Sequence, residues 1–322
     1  MCFDDRYLWP WAMTIATAKK HADRDFRCFV ANANGLLTQE GKSEARRIAA
    51  ALDVNLEIQD FEVPVGEYSR NQWNATVYAR LRMMDELTDD FLWLDSDLII
   101  RPGWCELFDL GAAALADDSK IAVAVRDRQQ MIDILRARGN NAAFTAAGDQ
   151  YFNSGILYVR PSRWQATDYP TQWPQLVRDE ANYGFTIVDQ DVLNYLLAGQ
   201  MAFFPGEFNR IISDPMIGNE KVWHYAGAPK PWRIEGDMRG FYMAVETINL
   251  DRPAHRITDG GSAYSMYPRY WEAEAEVLAT IATRDQILAD DLWRRRDGQM
   301  LTLSRAQKAK WAIMRLAARQ WR

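Results

Sequence analysis

The sequence predicts an α/β protein: a mostly parallel sheet flanked by helices, followed by a helical, basic C-terminal extension. Three observations lead there. Segments of helical and of strand periodicity alternate through the first part of the chain, which implies a sheet covered on both faces. An apolar stretch, Phe91-Leu92-Trp93-Leu94, runs directly into two carboxylates, Asp95 and Asp97. Charge is unevenly placed: residues 294–322 hold nine Lys/Arg against Asp297 alone, net +8, which leaves −14 on residues 1–293 of an overall −6.

In order along the chain, residues 10–21 begin with Pro at a suitable first helical position and continue without a breaker. Phe26–Ala31 is strand-like, and Asn32–Gly35 closes it as a turn. Thr38–Leu52 places Ala45, Ile48, Ala49 and Leu52 at helical spacing, and Asn55–Phe61 alternates as a strand. A helix is expected over Asn74–Leu87 and a strand over Asp90–Ile100, interrupted by the carboxylates. Lys120–Val125 and Gly155–Val159 complete the expected strands. No internal repeat or low-complexity linker appears, so one catalytic domain is expected over residues 1–235. A helical extension follows over 236–322. Its last segment, 304–322, has Ser304 as N-cap. Lys308, Arg315, Arg319 and Arg322 share one helical face, with Ile313, Leu316, Ala317 and Trp321 on another. Such a helix suits an anionic membrane surface, or packs its apolar stripe on the body.

The composition is that of a soluble globular enzyme, 48% hydrophobic and 25% charged among 322 residues. Cys2, Cys28 and Cys105 fall in no metal-ligand or disulfide spacing, which suits a reducing cytoplasm. The N-terminus carries Asp4 and Asp5 and no long apolar run, so no signal peptide is expected. No stretch is apolar enough to span a membrane. The acidic body argues against a nucleic-acid partner. The thirteen tryptophans serve either as packing or as platforms for sugar rings.

Asp95-Ser96-Asp97 carries the most chemical information. Period-2 geometry sends both carboxylates to one side at the carboxyl end of a strand, where open α/β sheets bind ligands. Two carboxylates so close repel unless a cation lies between them. Mn²⁺ or Mg²⁺ suits hard oxygen ligands, and an added imidazole favours Mn²⁺. Three further patterns lie downstream. Tyr151-Phe152-Asn153-Ser154-Gly155 precedes the strand from Ile156 as a turn. Asp189-Gln190-Asp191 opens a helical stretch. His224-Tyr225-Ala226-Gly227-Ala228-Pro229-Lys230-Pro231-Trp232 surrounds a glycine-bearing loop. Taken singly, these are a turn, an N-capped helix start and a surface loop.

As an ordered set, with Ala75-Thr76-Val77-Tyr78-Ala79-Arg80-Leu81 before the carboxylates, they resemble the family 8 glycosyltransferases. The resemblance is to the bacterial lipopolysaccharide galactosyl- and glucosyltransferases, and it runs from about Phe3 to Trp232. It implies a GT-A-type, Rossmann-like mixed sheet and a retaining transfer of galactose or glucose from a UDP-sugar to a carbohydrate or lipid-linked saccharide acceptor. It implies Asp95, Asp97 and His224 as ligands of Mn²⁺, with Gly227 and Lys230 on the phosphate side and Ser96 facing the ribose. Arg80, Asp127, Asn153, Asp189 and Gln190 match positions that hold the donor sugar and diphosphate. Asp4, Arg6 and Tyr7 fall where the family grips the nucleoside, with Asp4 pairing the base and Tyr7 stacking on it. Arg6 stands where the family usually has Asn, and only Met1-Cys2-Phe3 represent the first strand.

Retention by double displacement needs a carboxylate beneath the sugar. The matching position is Gln190, so a front-face substitution is expected, with Asp191 as the fallback nucleophile. Residues 128–150 lie where a loop could close over substrate. The basic tail implies a peripheral site on the inner face of the plasma membrane and an acceptor such as lipopolysaccharide. Three other functions share parts of the pattern. A dehalogenase-type phosphatase has a similar pair, but near its domain start and with Thr or Val two residues on, where Ile99 stands here. A non-catalytic nucleotide-sugar-binding protein, motivated by the stub strand, would bind UDP without turnover. A self-glycosylating enzyme would label itself without added acceptor.

Overall fold

The computed structural model describes residues 1–64, 75–214, 217–227, 230–232 and 266–292. After one 3-10 turn at Asp5–Tyr7 come α1 (Leu8–Lys20), β1 (Arg27–Ala33), α2 (Gln39–Ala51) and β2 (Asn55–Phe61). Thr38 starts α2 by accepting a hydrogen bond from Gly41 N at 3.1 Å. β1 and β2 pair in parallel from Arg27↔Asn55 to Ala33↔Phe61. The N-terminal residues lie along the other edge of β1. Cys2 bridges Ala31 in parallel, and Ala31 N donates to Met1 O at 2.9 Å.

A 3-10 turn at Ala75–Tyr78 leads into α3 (Ala79–Glu86), followed by β3 (Phe91–Leu94), β4 (Leu98–Ile100), α4 (Glu106–Ala114) and β5 (Ala122–Arg126). Residues 128–150 are not an open loop: they form α5 (Gln129–Arg138), α6 (Ala142–Ala147) and a 3-10 turn. Then come β6 (Phe152–Val159), α7 (Pro161–Gln165), α8 (Tyr169–Arg178), α9 (Val188–Leu196), β7 (Met201–Phe203), β8 (Arg210–Ile211) and β9 (Val222–His224). The strand orders are β1-β2, β3-β6-β5-β7 and β4-β9-β8. Pairings β1–β2, β5–β7 and β8–β9 are parallel, whereas β3–β6, β5–β6 and β4–β9 are antiparallel. The sheet system is therefore mixed.

Two expectations change in detail. The strand expected over 90–100 is two strands in different sheets, because β3 pairs with β6 while β4 pairs with β9. Asp95–Asp97 is the crossing between them, so strict alternation does not govern its side chains. Asn153-Ser154-Gly155 is not a turn but part of β6. There the β5 partnership jumps from Ala124↔Leu157 to Val125↔Asn153, so Ser154-Gly155-Ile156 bulge out of that ladder. On its other edge β6 keeps Leu94↔Ile156, and Gly155 O accepts from Asp95 N at 2.9 Å.

α1 is apolar nearly all round, as a helix must be when it is enclosed. Trp11, Ala12, Met13, Ile15 and Ala18 are buried. Its two inward threonines complete the edge of β4. Thr14 Oγ1 accepts from Leu98 N at 3.0 Å and donates to Leu98 O at 2.9 Å, while Thr17 Oγ1 accepts from Ile100 N at 3.0 Å. A strand edge inside the protein needs such partners. One core joins α1, α2 and α4; a second lies around α3, α8 and α9. Trp11, Trp93, Trp104, Trp164 and Trp173 are fully buried, which makes those five packing residues.

Part of the expected extension belongs to the first core. Helix α10 (Tyr267–Ala282) contributes Tyr270, Val277, Leu278 and Ile281 to it, and Trp9 Nε1 donates to Glu274 at 2.8 Å. The amphipathic basic helix expected at 304–322 lies outside the described residues. Among the described residues, no helix is long and apolar enough to cross a membrane. The three cysteines are free and buried.

Candidate metal and nucleotide-sugar site

The strand crossing brings Asp95 and Asp97 to His224. β4 pairs with β9 so that Leu98 lies opposite His224, and Tyr225 N donates to Asp97 O at 3.0 Å. One ligand atom from each of Asp95, Asp97 and His224 lies within 4.8 Å of the others. His224 Nε2 is 3.3 Å from Asp97 Oδ1 and 3.8 Å from Asp95 Oδ2.

Each carboxylate gives one oxygen to the protein and turns the other to this point. Asp95 Oδ1 accepts from Arg80 Nη2 and Trp93 Nε1, both at 2.8 Å. Asp97 Oδ2 accepts from Lys230 Nζ at 2.5 Å, and Lys230 also donates to Tyr225 O at 2.5 Å. Burial pushes the Asp97 carboxyl up, but the Lys230 ammonium at 2.5 Å outweighs it and holds the group well below the usual carboxylate range.

The tautomer of His224 follows from a chain of hydrogen bonds fixed by backbone donors. Gly155 N donates to Asn153 Oδ1 at 3.0 Å, so that oxygen is an acceptor. Asn209 therefore meets it with Nδ2, at 2.8 Å, and turns its own Oδ1 to His224 Nδ1 at 2.8 Å. Nδ1 then carries the proton and Nε2 faces the two carboxylates with its lone pair. Three acceptors converge there, and a cation between them resolves the conflict. Two carboxylate oxygens and an imidazole nitrogen, oriented by outer hydrogen bonds, fit a divalent ion such as Mn²⁺.

The same chain continues toward Gln190. Its Oε1 accepts from Ser154 N and Asn153 Nδ2, both at 3.1 Å, and its Nε2 donates to Asp127 Oδ2 at 2.8 Å. Asp189 Oδ2 accepts from Ser154 Oγ at 3.1 Å and lies 3.2 Å from Arg80 Nε. Arg80 also donates to Ser154 O, and its guanidinium stacks 4.7 Å above the Trp93 ring. Burial raises the Asp127 and Asp189 carboxyls, opposed at Asp127 by the Arg128 N–H and Gln190 and at Asp189 by Arg80.

Asp191 takes a different direction. It is fully buried, and its carboxylate accepts from Tyr151 Oη at 2.6 Å, Thr186 N at 2.6 Å and Ile187 N at 2.8 Å. It ties the loop before α9 to the start of β6 and does not face the other site residues.

In the N-terminal turn, Asp4 Oδ1 accepts from Arg6 N at 3.0 Å. Its Oδ2 accepts from Arg6 Nε at 2.9 Å and Nη2 at 2.6 Å. Tyr7 meets Trp232 edge-on at 5.9 Å, and Lys230 Nζ lies 5.5 Å above the Trp232 ring. The Asp4–Tyr7 turn thus adjoins the segment that carries Lys230. Gly227 adopts φ 79°, where a side chain is disfavoured. Ser96 is buried in the strand crossing.

Arg80, Asp95, Asp97, Asp127, Asn153, Asp189, Gln190, His224 and Lys230 therefore share one connected site. Sequence reasoning missed Asn209, which orients His224, and Asn194. The Asn194 side chain accepts from Phe152 N and donates to Phe152 O, each at 2.9 Å, and so anchors the start of β6. Neither stands in a pattern that marks it.

Gly155 is small for a steric reason. An added Cβ would stand 2.3 Å from His224 Cε1. Gly155→Ala is expected to displace the imidazole and weaken Mn²⁺ binding by about 10- to 100-fold, as changes behind a metal ligand do. Titration calorimetry with Mn²⁺ checks this, and an unchanged affinity refutes the packing argument.

A model of glycosyl transferase family 8 matches residues 1–236. The chain is 28% identical over 194 residues to a lipopolysaccharide 1,2-glucosyltransferase of Escherichia coli K12, covering 54% of this chain and 55% of that protein. It is 26% identical over 178 residues to the lipopolysaccharide glucosyltransferase WaaO of the same organism, covering 51% of each. The chain spans about half the length of these curated relatives. Among solved structures, the galactosyltransferase LgtC in complex with donor and acceptor sugar analogues aligns with TM-score 0.59. Its identity is 20%, over 85% of this chain and 94% of that one. The glycosyltransferase GlyE of Streptococcus pneumoniae aligns with TM-score 0.55 at 18% identity, over 88% and 62%. These likenesses show a shared architecture, the GT-A-type mixed α/β arrangement. The match over residues 1–236 and the ordered site motifs lead to one conclusion: the chain belongs to glycosyl transferase family 8.

Proposed function

We propose that the protein is a retaining, divalent-metal-dependent hexosyltransferase that moves galactose or glucose from a UDP-sugar to a glycan acceptor, lipopolysaccharide or a related surface saccharide. The observation that carries this reading is the convergence of Asp95, Asp97 and His224, with Lys230 at one end and the Asn153–Gln190–Asp127 chain at the other. Asp95 Oδ2, Asp97 Oδ1 and His224 Nε2 would hold Mn²⁺, which when bound supplies positive charge to the two phosphates of the nucleotide.

The remaining roles fall to the chain's own groups. Lys230 supplies a second positive charge beside the diphosphate, and Gly227 lets the backbone come close. Tyr7 stacks on the base while Asp4 reads its edge, and Ser96 faces the ribose. Arg80 holds Asp95 and Asp189 in place. Asp127, Asn153, Asp189 and Gln190 bind the hexose. Gln190 is an amide and Asp191 is committed to three donors, which favours front-face substitution over a covalent intermediate. In that step the acceptor hydroxyl attacks the anomeric carbon on the side from which UDP leaves, and its proton passes to the departing phosphate oxygen. Gln190 faces the developing positive charge with the amide dipole.

The test is UDP release from UDP-galactose and UDP-glucose, with Mn²⁺ and with EDTA. Manganese-dependent release from one donor supports the reading and names the sugar. Metal-dependent UDP binding without turnover of either donor overturns it in favour of a binding protein.

A further inference from the structure

The hydrogen-bond chain between His224 and Asp127 runs in one direction from end to end. His224 Nδ1 donates to Asn209 Oδ1 at 2.8 Å, and Asn209 Nδ2 donates to Asn153 Oδ1 at 2.8 Å. Asn153 Nδ2 then donates to Gln190 Oε1 at 3.1 Å, and Gln190 Nε2 to Asp127 Oδ2 at 2.8 Å. Two backbone donors set this direction independently. Gly155 N fixes Asn153 Oδ1 as an acceptor at 3.0 Å, and Ser154 N fixes Gln190 Oε1 at 3.1 Å. Turning one amide over would set two donors or two acceptors face to face. Such a mismatch is costly where His224, Asn209, Gln190 and Asp127 are all buried.

Asn209 joins the two ends of this chain. It follows the 3-10 turn at Gly206–Phe208, where its N–H donates to Gly206 O at 3.3 Å. Phe208 anchors that turn in the core, and Arg210 and Ile211 of β8 pair with Trp223 and His224. The backbone is therefore held on both sides, and the side chain meets His224 and Asn153 at once. Gly155 packs against both partners. An added Cβ there would stand 2.9 Å from His224 Nδ1 and 3.0 Å from Asn153 Oδ1, so these groups have little room to rearrange.

We infer that Asn209 is a positioning residue that ties the metal ligand to the sugar end. As an acceptor it keeps the proton on His224 Nδ1 and leaves Nε2 its lone pair for a divalent ion. As a donor it holds Asn153 in the orientation that presents Nδ2 to Gln190. The two roles are separable, because they use different atoms of one amide. The second rests on the proposed function, which takes the Asn153–Gln190–Asp127 end as the hexose site.

Two variants of the full chain separate the roles. Asn209→Asp retains an acceptor for His224 Nδ1 but offers Asn153 Oδ1 a carboxylate oxygen in place of a donor. Asn209→Leu removes both bonds. Long-range proton–nitrogen spectra of the metal-free, histidine-labelled protein read the tautomer directly. His224 is one of three histidines, and its signal is identified by its loss in His224→Gln. The Nδ1–H form is expected in the unaltered protein and in Asn209→Asp, and its dominance is expected to be lost in Asn209→Leu. Calorimetry with Mn²⁺ alone is expected to show affinity about 10- to 100-fold weaker in Asn209→Leu, and undiminished in Asn209→Asp, since a carboxylate serves a metal-bound imidazole as well as a carbonyl does. Calorimetry with UDP, UDP-galactose and UDP-glucose in saturating Mn²⁺ reads the other role. The affinity that the hexose adds over UDP is expected to fall about five- to tenfold in both variants, the worth of one hydrogen bond. Should Asn209→Leu fail to fold, the split in Asn209→Asp, with Mn²⁺ affinity kept and the hexose contribution reduced, still separates positioning from packing. An Nε2–H tautomer in the unaltered protein, equal Mn²⁺ affinity in all three proteins, or equal loss in both variants overturns the role at His224. A hexose contribution unchanged in Asn209→Asp overturns the tie to the sugar end. If neither UDP-hexose binds the unaltered protein, the donor reading fails and the tie falls with it, while the spectra and the Mn²⁺ titrations still decide the role at His224.

Discussion

An Asp97→Asn protein is expected to lose metal-supported donor turnover by about 10³-fold while keeping its fold. Asparagine preserves the shape of the side chain but removes the charge that faces both His224 Nε2 and Lys230 Nζ. A bound divalent ion is worth several kcal/mol of charge stabilisation, and at 1.36 kcal/mol per factor of ten a loss of about 4 kcal/mol gives that rate. Lys230 keeps its bond to Tyr225 O, so only about 1–3 kcal/mol of stability is at stake, the cost of one lost partner. Initial rates of UDP release across a Mn²⁺ titration, with thermal melting as control, decide the matter. EDTA is expected to bring the unaltered enzyme down to the level of the variant and to leave the variant's residual rate unchanged. Turnover within about tenfold of the unaltered protein, corresponding to less than ~1.4 kcal/mol, would show that Asp97 is no ligand.

The site was legible in the sequence where a residue type conflicted with its surroundings. Two carboxylates at the end of Phe91–Leu94 conflict with an apolar strand, and that conflict marked the candidate metal site. α2 was equally readable, since Thr38 caps it and its apolar residues keep helical spacing. The Asn153-Ser154-Gly155 segment misled because its residues favour turns, whereas β6 tolerates them through the irregularity opposite Ala124 and Val125. That irregularity is a tertiary property and leaves no mark in the local pattern.

Direction was harder to read than position. Asp189, Gln190 and Asp191 are consecutive on α9, so each points about 100° from the last. Asp189 reaches Ser154 and Arg80, Gln190 reaches Asn153 and Asp127, and Asp191 reaches Tyr151 and the preceding loop. Sequence spacing alone does not say which of the three turns to a ligand. Asn209 was illegible for another reason. A lone asparagine before a two-residue strand carries no periodicity, and its importance comes from the β8–β9 pairing that sets it beside His224. The all-round apolarity of α1 suits its burial, but no pattern in the sequence shows that Thr14 and Thr17 complete the edge of β4.

The largest stability effect is expected at Arg80. This side chain is buried, bonds Ser154 O and Asp95, pairs with Asp189 and stacks on Trp93. Arg80→Met fills similar volume but leaves two carboxylates and a backbone carbonyl without their shared cation. Breaking a buried ion pair from one side costs about 3–5 kcal/mol, which in a chain of this size lowers the melting temperature by roughly 4–7 °C. Arg80→Lys recovers little, because an ammonium cannot reproduce the fork that serves Ser154, Asp95 and Asp189 together. The decisive comparison is the double variant Arg80→Met/Asp189→Asn. Asp189 is fully buried, its carboxyl already raised by burial, and Arg80 is the cation that opposes the shift. Neutralising it removes the charge that the single variant strands. The double variant is therefore expected to regain about 1–2 kcal/mol over Arg80→Met alone, a coupling typical of residues in direct contact. Additive losses would mean that Arg80 acts through packing on Trp93 and not through charge. Activity need not return with stability, because Asp95 Oδ1 keeps only the Trp93 donor of the two that direct its other oxygen toward His224.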